Sequence, residues 1–154
     1  MAGKKILIVE DEVVQLTALA RRLKSAGFEI VAARDGLTVI STARKEQPDL
    51  ILLDLGLPAG DGFVVLERLA MLINAGTIPI VVVSSRTPLG NREAALKAGA
   101  IAYIHKPVDM PVLLKAINEA LGISPPAPLR GLLKRLPHLS PELAADRHLP
   151  FFLD

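Results

Sequence analysis

Three carboxylates stand directly behind two short apolar runs: Glu10 and Asp11 follow Lys5–Val9, and Asp54 follows Leu50–Leu53. If those runs are neighbouring parallel strands, the three side chains converge on one crevice. Two carboxylates about 5 Å apart repel by roughly 3 kcal/mol at an effective dielectric of about 20. Such a cluster must protonate, hold a cation or be kept apart by geometry. Oxygen-only ligands with an open solvent side suit Mg²⁺, which takes few protein oxygens and keeps several waters. The competing reading has Glu10 and Asp11 cap a following helix, where anions are favoured. Asp54 is harder to explain that way, because a charge among Leu52, Leu53 and Leu55 needs a partner. Ser84-Ser85 ends a further run with a small donor, and His105-Lys106-Pro107 ends another with a cation. Taken singly, Ser84 reads more readily as a strand terminus, and Lys106 is equally a structural counter-ion. Together, a carboxylate, a divalent cation, a hydroxyl and an ammonium are what the equatorial oxygens of a transferred phosphoryl group require.

Five apolar runs of four to six residues must position these groups: Lys5–Val9, Glu29–Ala33, Leu50–Leu53, Ile78–Val83 and Ala102–His105. They are rich in β-branched residues and Leu and bounded by polar or turn residues, the pattern of strands buried on both faces. Helical spacing fills the gaps. Val13, Leu16, Ala20 and Leu23 share a face before Gly27, and Phe63, Leu66, Leu69, Ala70 and Ile73 repeat the pattern before Asn74-Ala-Gly76. Arg92–Lys97 before Gly99 and Val112–Leu121 before Gly122 read as two more helices. Leu37–Lys45 is ambiguous, because Thr38-Val39-Ile40 also suits a strand. Strict alternation predicts an α/β fold, a doubly wound five-stranded parallel sheet in the order 2-1-3-4-5 with helices on both faces, as in flavodoxin-like folds. Its ligand site lies beyond the carboxyl ends of the strands, where the acids, hydroxyl and ammonium stand.

Composition narrows the chemistry. Of 154 residues, 51% are hydrophobic and 22% charged, which excludes a disordered chain. Aromatics are only 3%, so the core is aliphatic, and the absence of Cys removes disulfides, thiolate metal sites and thiol catalysis. A formal charge of +2 gives no argument for nucleic acid. No apolar run reaches the roughly 20 residues of a membrane span, and none at the start suits a secretory signal, so a cytoplasmic location is expected. A flavin phosphate would be repelled by Glu10-Asp11-Glu12, and neither G-x-G-x-x-G nor a Walker lysine motif occurs. An Asp-nucleophile phosphatase of the haloacid-dehalogenase type needs a second acid two residues on. Gly56 stands there instead, so slow loss of the phosphoryl group rather than enzymatic turnover is expected. His105, His138 and His148 are too dispersed for zinc.

Five linked motifs, Ile6-Leu-Ile-Val-Glu-Asp-Glu12, Pro48-Asp-Leu-Ile-Leu-Leu-Asp54, Leu57-Pro-Ala-Gly-Asp-Gly62, Pro79-Ile-Val-Val-Val-Ser-Ser85 and Lys106-Pro107, resemble the receiver domains of two-component response regulators. The likeness runs from about residue 4 to 121, in order. It implies that Asp54 is phosphorylated from the phosphohistidine of a sensor histidine kinase or a phosphotransfer protein. It implies Mg²⁺ held by Glu10, Asp11, Asp54 and the Gly56 carbonyl, with Lys106 and Ser84 stabilising the phosphoryl group. Ser84 would reorient as the switch hydroxyl, with Ser85 as the alternative, and Tyr103 would be the switch aromatic. The Lys106–Pro107 bond would be cis. Glu10-Asp11 stands where Asp-Asp is commoner, Ser84 where Thr is more frequent and Ser85 where Ala is usual. Arg86, at a variable position beside the site, is expected to be solvated rather than to approach the phosphoryl group.

The receiver is expected over residues 1–122, a Pro-rich linker over 123–128 and a short amphipathic, helical tail over 129–154. Six of the twelve prolines lie between Pro125 and Pro150. The tail is too short for a DNA-binding or catalytic output domain. Its Leu129, Leu132, Leu133 and Leu136 share a helical face, and with Phe151 and Phe152 they are expected to pack on protein. The function expected is therefore a phosphorylation-driven switch with a downstream protein target. A homodimer through the last strand and its flanking helices, or through the tail, fits the same reading. The alternative is a phosphorylation-independent scaffold with this fold.

Overall fold

Strands of Val, Ile and Leu alternate with amphipathic helices in the computed structural model, which describes residues 3–57, 62–72 and 78–123. The elements are β1 (Lys5–Val9), α1 (Val13–Ser25), β2 (Glu29–Ala33), α2 (Val39–Glu46), β3 (Leu50–Leu53), α3 (Gly62–Leu72), β4 (Ile80–Ser84), α4 (Pro88–Lys97), β5 (Ala102–His105) and α5 (Met110–Leu121). All strand pairs are parallel, in the order β2-β1-β3-β4-β5, so the expected sheet is observed. β1, β3 and β4 are buried almost throughout, while the edge strand β2 is mostly open. That is why the central runs read as continuous hydrophobic stretches.

The strand period of two divides the core into two layers. Leu7, Val9, Ile51, Leu53, Val82 and Tyr103 face one side with Val39, Val65, Leu66 and Ala95 of α2, α3 and α4. Ile6, Ile8, Leu50, Leu52, Val81, Val83 and Ile104 face the other with Leu23 of α1 and Leu113 and Ile117 of α5. Burial of each large aliphatic side chain contributes about 1.5–3 kcal/mol before ordering entropy.

Several boundaries differ from the sequence expectation. β4 begins at Ile80, not Ile78, because Pro79 has no N–H for the ladder, and it runs on to include Ser84. Thr38-Val39-Ile40 opens a helix, not a strand, and Gln47 in the left-handed region (φ 46°) closes it. α4 starts at Pro88, four residues earlier than expected, but Leu89 and Gly90 leave the helical region and break it. α5 starts at Met110, where Asp109 accepts a hydrogen bond from Val112 N (3.3 Å) and Pro111 sits in the first turn. α3 ends at Leu72 within the described residues, so Ile73 and the stop at Asn74-Ala-Gly76 lie outside them. Residues 58–61 of the third motif, and the linker and tail from Ser124 onward, also lie outside.

Candidate functional site

Register brings the strand ends together. Val9 pairs with Leu53, and Asp54 N donates to the Val9 carbonyl (3.0 Å), so Glu10 and Asp54 leave the sheet side by side. Ser84 pairs with His105, and Lys106 N donates to the Ser84 carbonyl (2.8 Å), which sets Lys106 over the same crevice. The Lys106–Pro107 peptide bond is cis.

Glu12, not Glu10 or Asp11, caps α1. Its carboxylate accepts from Val14 N (3.2 Å) and Gln15 N (3.3 Å). The capping role is thus filled, and the carboxylates before it need another purpose. Glu10, Asp11 and Asp54 each offer an oxygen within 4.8 Å of the other two. Lys106 Nζ donates to Glu10 Oε1 (2.6 Å) and Gln15 Oε1 (2.6 Å) and reaches Asp54 Oδ2 at 3.5 Å. Asp54 Oδ1 accepts from Gly56 N at 3.0 Å. Glu10 is only 5% exposed, and its Oε2 is buried with no hydrogen-bond partner. Burial pushes the Glu10 carboxyl up to about 7, helped by the adjoining Asp54 carboxylate and opposed by the Lys106 ammonium.

This donor set is a fair test for a divalent cation. It is all oxygen, it holds three carboxylates against one ammonium, and it contains a buried carboxylate oxygen that nothing satisfies. A hard cation such as Mg²⁺ fits it, whereas thiolate- or imidazole-seeking metals do not.

The hydroxyl side of the crevice is built differently. Ser84 is buried, and its Oγ accepts from Arg86 N at 3.1 Å. Tyr103 is fully buried beneath it, with its hydroxyl donating to the Arg86 carbonyl at 2.7 Å. Burial pushes the Tyr103 phenol up, so it stays a donor. Tyr103 therefore lies inside the fold. Ser85 is exposed, and its carbonyl lies 3.3 Å from His105 Nε2. Arg86 is exposed and lies outside the acid cluster. Its guanidinium lies 5.6 Å from the Phe63 ring centroid and donates to the Leu55 carbonyl at 3.4 Å.

Sequence reasoning missed Gln15 and the Arg86–Phe63 contact. Neither carries a sequence signal, since both join residues far apart in the chain. A groove of about 550 Å³ between Pro88, Leu89, Gly90, Arg92, Glu93 and Leu96 lies on α4 and holds none of the clustered carboxylates.

Comparison with known proteins converges on one family. The profile of the response regulator receiver domain matches residues 6–118. The polar-differentiation response regulator DivK of Brucella anthropi is 32% identical over 119 residues, covering 77% of this chain and 97% of that protein. Protein PilH of Pseudomonas aeruginosa is 32% identical over 118 residues, covering 77% and 98%. The transcriptional regulatory protein PrrA of Mycobacterium tuberculosis is 34% identical over 121 residues, 79% of this chain but 51% of that protein, so the chain spans about half the length of that relative. A CheY-like receiver domain protein from Methanospirillum hungatei superposes with a TM-score of 0.72 at 32% identity, covering 78% of this chain and 94% of that one. The receiver domain of a Pseudomonas aeruginosa sensor histidine kinase, crystallised with magnesium in its active-site cleft, gives 0.71 at 30% identity over 79% and 99%.

Proposed function

Because the chain belongs to the response regulator receiver domain family, we propose that it is a signalling switch in which Asp54 accepts a phosphoryl group from the phosphohistidine of a sensor histidine kinase or phosphotransfer protein. The observation that carries this is the unsatisfied acid cluster. Glu12 has taken the helix cap, yet Glu10 keeps a buried oxygen without a partner beside Asp11 and Asp54. A phosphorylation-independent scaffold would have no use for that arrangement.

Glu10, Asp11, Asp54 and the Gly56 carbonyl are the groups that would hold Mg²⁺. When bound, the cation supplies positive charge that offsets the carboxylates and the incoming phosphoryl oxygens. An Asp54 carboxylate oxygen attacks phosphorus as the P–N bond to the donor imidazole breaks, and the imidazole keeps the bonding electron pair. Lys106, already 3.5 Å from Asp54 Oδ2, neutralises charge on the transferred group. Gly56 offers no acid two residues beyond Asp54, so hydrolysis of the acyl phosphate is slow and the chain holds its signal rather than turning over substrate.

Ser84 transmits the event. Its Oγ accepts from Arg86 N, and Arg86 O accepts from Tyr103. Turning the Ser84 hydroxyl to the phosphoryl group releases the Arg86 backbone and with it the hold on Tyr103. The changed face of β5, with α4 and α5 beside it, is then the surface for a downstream protein or a second copy. The linker and tail are proposed to extend the same protein-contact role. Among the described residues no helix is long and apolar enough to cross a membrane.

The test is chemical trapping. After incubation with acetyl phosphate and Mg²⁺, borohydride reduction converts an aspartyl phosphate to homoserine. Peptide sequencing should find homoserine at position 54. Reduction at another acid, or at none, would refute the assignment.

A further inference from the structure

Gln15 lies in the first turn of α1, 91 residues from Lys106 in sequence, yet its Oε1 is as close to Lys106 Nζ as Glu10 is, 2.6 Å in both cases. Asp54 Oδ2 is at 3.5 Å. An ammonium has only donors, so the contact fixes which end of the Gln15 amide faces the crevice.

The two close acceptors differ in charge. Glu10 is an acid on which the ammonium and an entering cation compete, whereas Gln15 is neutral and attracts a metal ion far less. If Gln15 were absent, the donors of Lys106 would redistribute onto the two remaining acceptors, Glu10 and Asp54. The ammonium would then bind more closely the same oxygens that a cation and a phosphoryl group need. We propose that Gln15 is a positioning residue: its amide oxygen holds the Lys106 ammonium at the α1 side of the crevice, leaving Glu10 available to a cation and Asp54 available to attack. The consequence for labelling rests on the phosphoacceptor reading above, while the consequence for cation binding does not.

The experiment is a double-mutant cycle on the full chain with two readouts. Gln15→Met keeps the side-chain length and removes the acceptor, at an exposed position. Lys106→Met removes the ammonium and keeps its stem. Mg²⁺ alone is titrated by NMR, and acetyl phosphate labelling is timed at sub-saturating Mg²⁺. In the wild-type background, Gln15→Met should raise the Mg²⁺ Kd about threefold and slow labelling about fivefold, with no further change of either in the Lys106→Met background. A residue that merely stabilised α1 would produce the same loss in both backgrounds. Equal losses, or no loss beside Lys106, overturn the proposal. If the wild type does not label at all, the phosphoacceptor reading fails while the Mg²⁺ cycle still decides the role of Gln15.

Discussion

The two halves of the crevice use opposite electrostatics. At the ends of β1 and β3, three carboxylates face one ammonium, and a buried Glu10 oxygen is left with nothing to bind. At the ends of β4 and β5, Ser84, Arg86 and Tyr103 form a chain of neutral hydrogen bonds in which one backbone residue links a buried hydroxyl to a buried phenol. An incomplete charged site gains by taking in an ion and an anionic group. A completed neutral network registers such an event only by breaking a bond it already has. If the proposed function holds, chemistry belongs to the acid half and transmission to the hydroxyl half, and mutations should separate the two.

The largest effect should come from the charge that spans the halves. Lys106→Ala should slow labelling by about 10²–10³-fold, the usual loss for one electrostatic donor, with rates read from adduct accumulation. A fall of only a few-fold would mean that the metal site alone supplies the charge stabilisation.

The acid half should also carry the pH dependence. The Glu10 carboxyl holds its proton more tightly in the folded chain, up to about 7 against the ordinary 4.5. Its contribution is fully present below pH 4.5 and is lost as pH rises through about 7. Metal-free protein should thus lose on the order of 2–3 kcal/mol between pH 4.5 and 8, read as a falling Tm. Mg²⁺ or Glu10→Gln should flatten that decline. Asp11→Asn, which leaves Glu10 in place, should weaken Mg²⁺ binding more than it changes the slope. A Tm that rises over this range in metal-free wild type would contradict the burial argument.

In the hydroxyl half, Ser84→Ala should leave labelling within a few-fold of wild type but disconnect Tyr103. The chain has one Tyr and no Trp, so tyrosine fluorescence reports on Tyr103 alone. Phosphorylation should change that emission in the wild type and leave it unchanged in Ser84→Ala, and equal changes in both would remove Ser84 from the transmission path. The smallest effect is expected from Tyr103→Phe. It loses one hydrogen bond to the Arg86 carbonyl, worth about 1 kcal/mol, and should lower Tm by a few degrees with labelling intact.

Legibility in the sequence followed the range of the interaction. Four of the five strands lie where their apolar runs place them: β1, β3 and β5 because a buried strand writes its burial into contiguous residues, and the more open β2 because its short apolar run is bounded by polar residues. β4 differs because the missing N–H of Pro79 outweighs the apolarity of Ile78. The β-branched start of α2 could not be resolved locally, since packing of Val39 and Ala43 on the sheet decides for helix. The acids, Ser84 and Lys106 were legible because the topology alone delivers strand ends to one crevice. Gln15 was not, because an exposed glutamine in a helix resembles any solvated residue until the fold brings a lysine to it. Arg86 is exposed and apart from the acids, as expected, but its contacts with Phe63 and the Leu55 carbonyl were not legible for the same reason.

The central claim is that the acid half is a metal-dependent phosphoryl acceptor centred on Asp54. Its most direct test is the intact mass of the protein after incubation with acetyl phosphate, with Mg²⁺ and with chelator, in wild type and Asp54→Asn side by side. Wild type with Mg²⁺ should gain one phosphoryl group, while chelated wild type and Asp54→Asn should gain none. A gain that persists in Asp54→Asn, or that is indifferent to Mg²⁺, would contradict it.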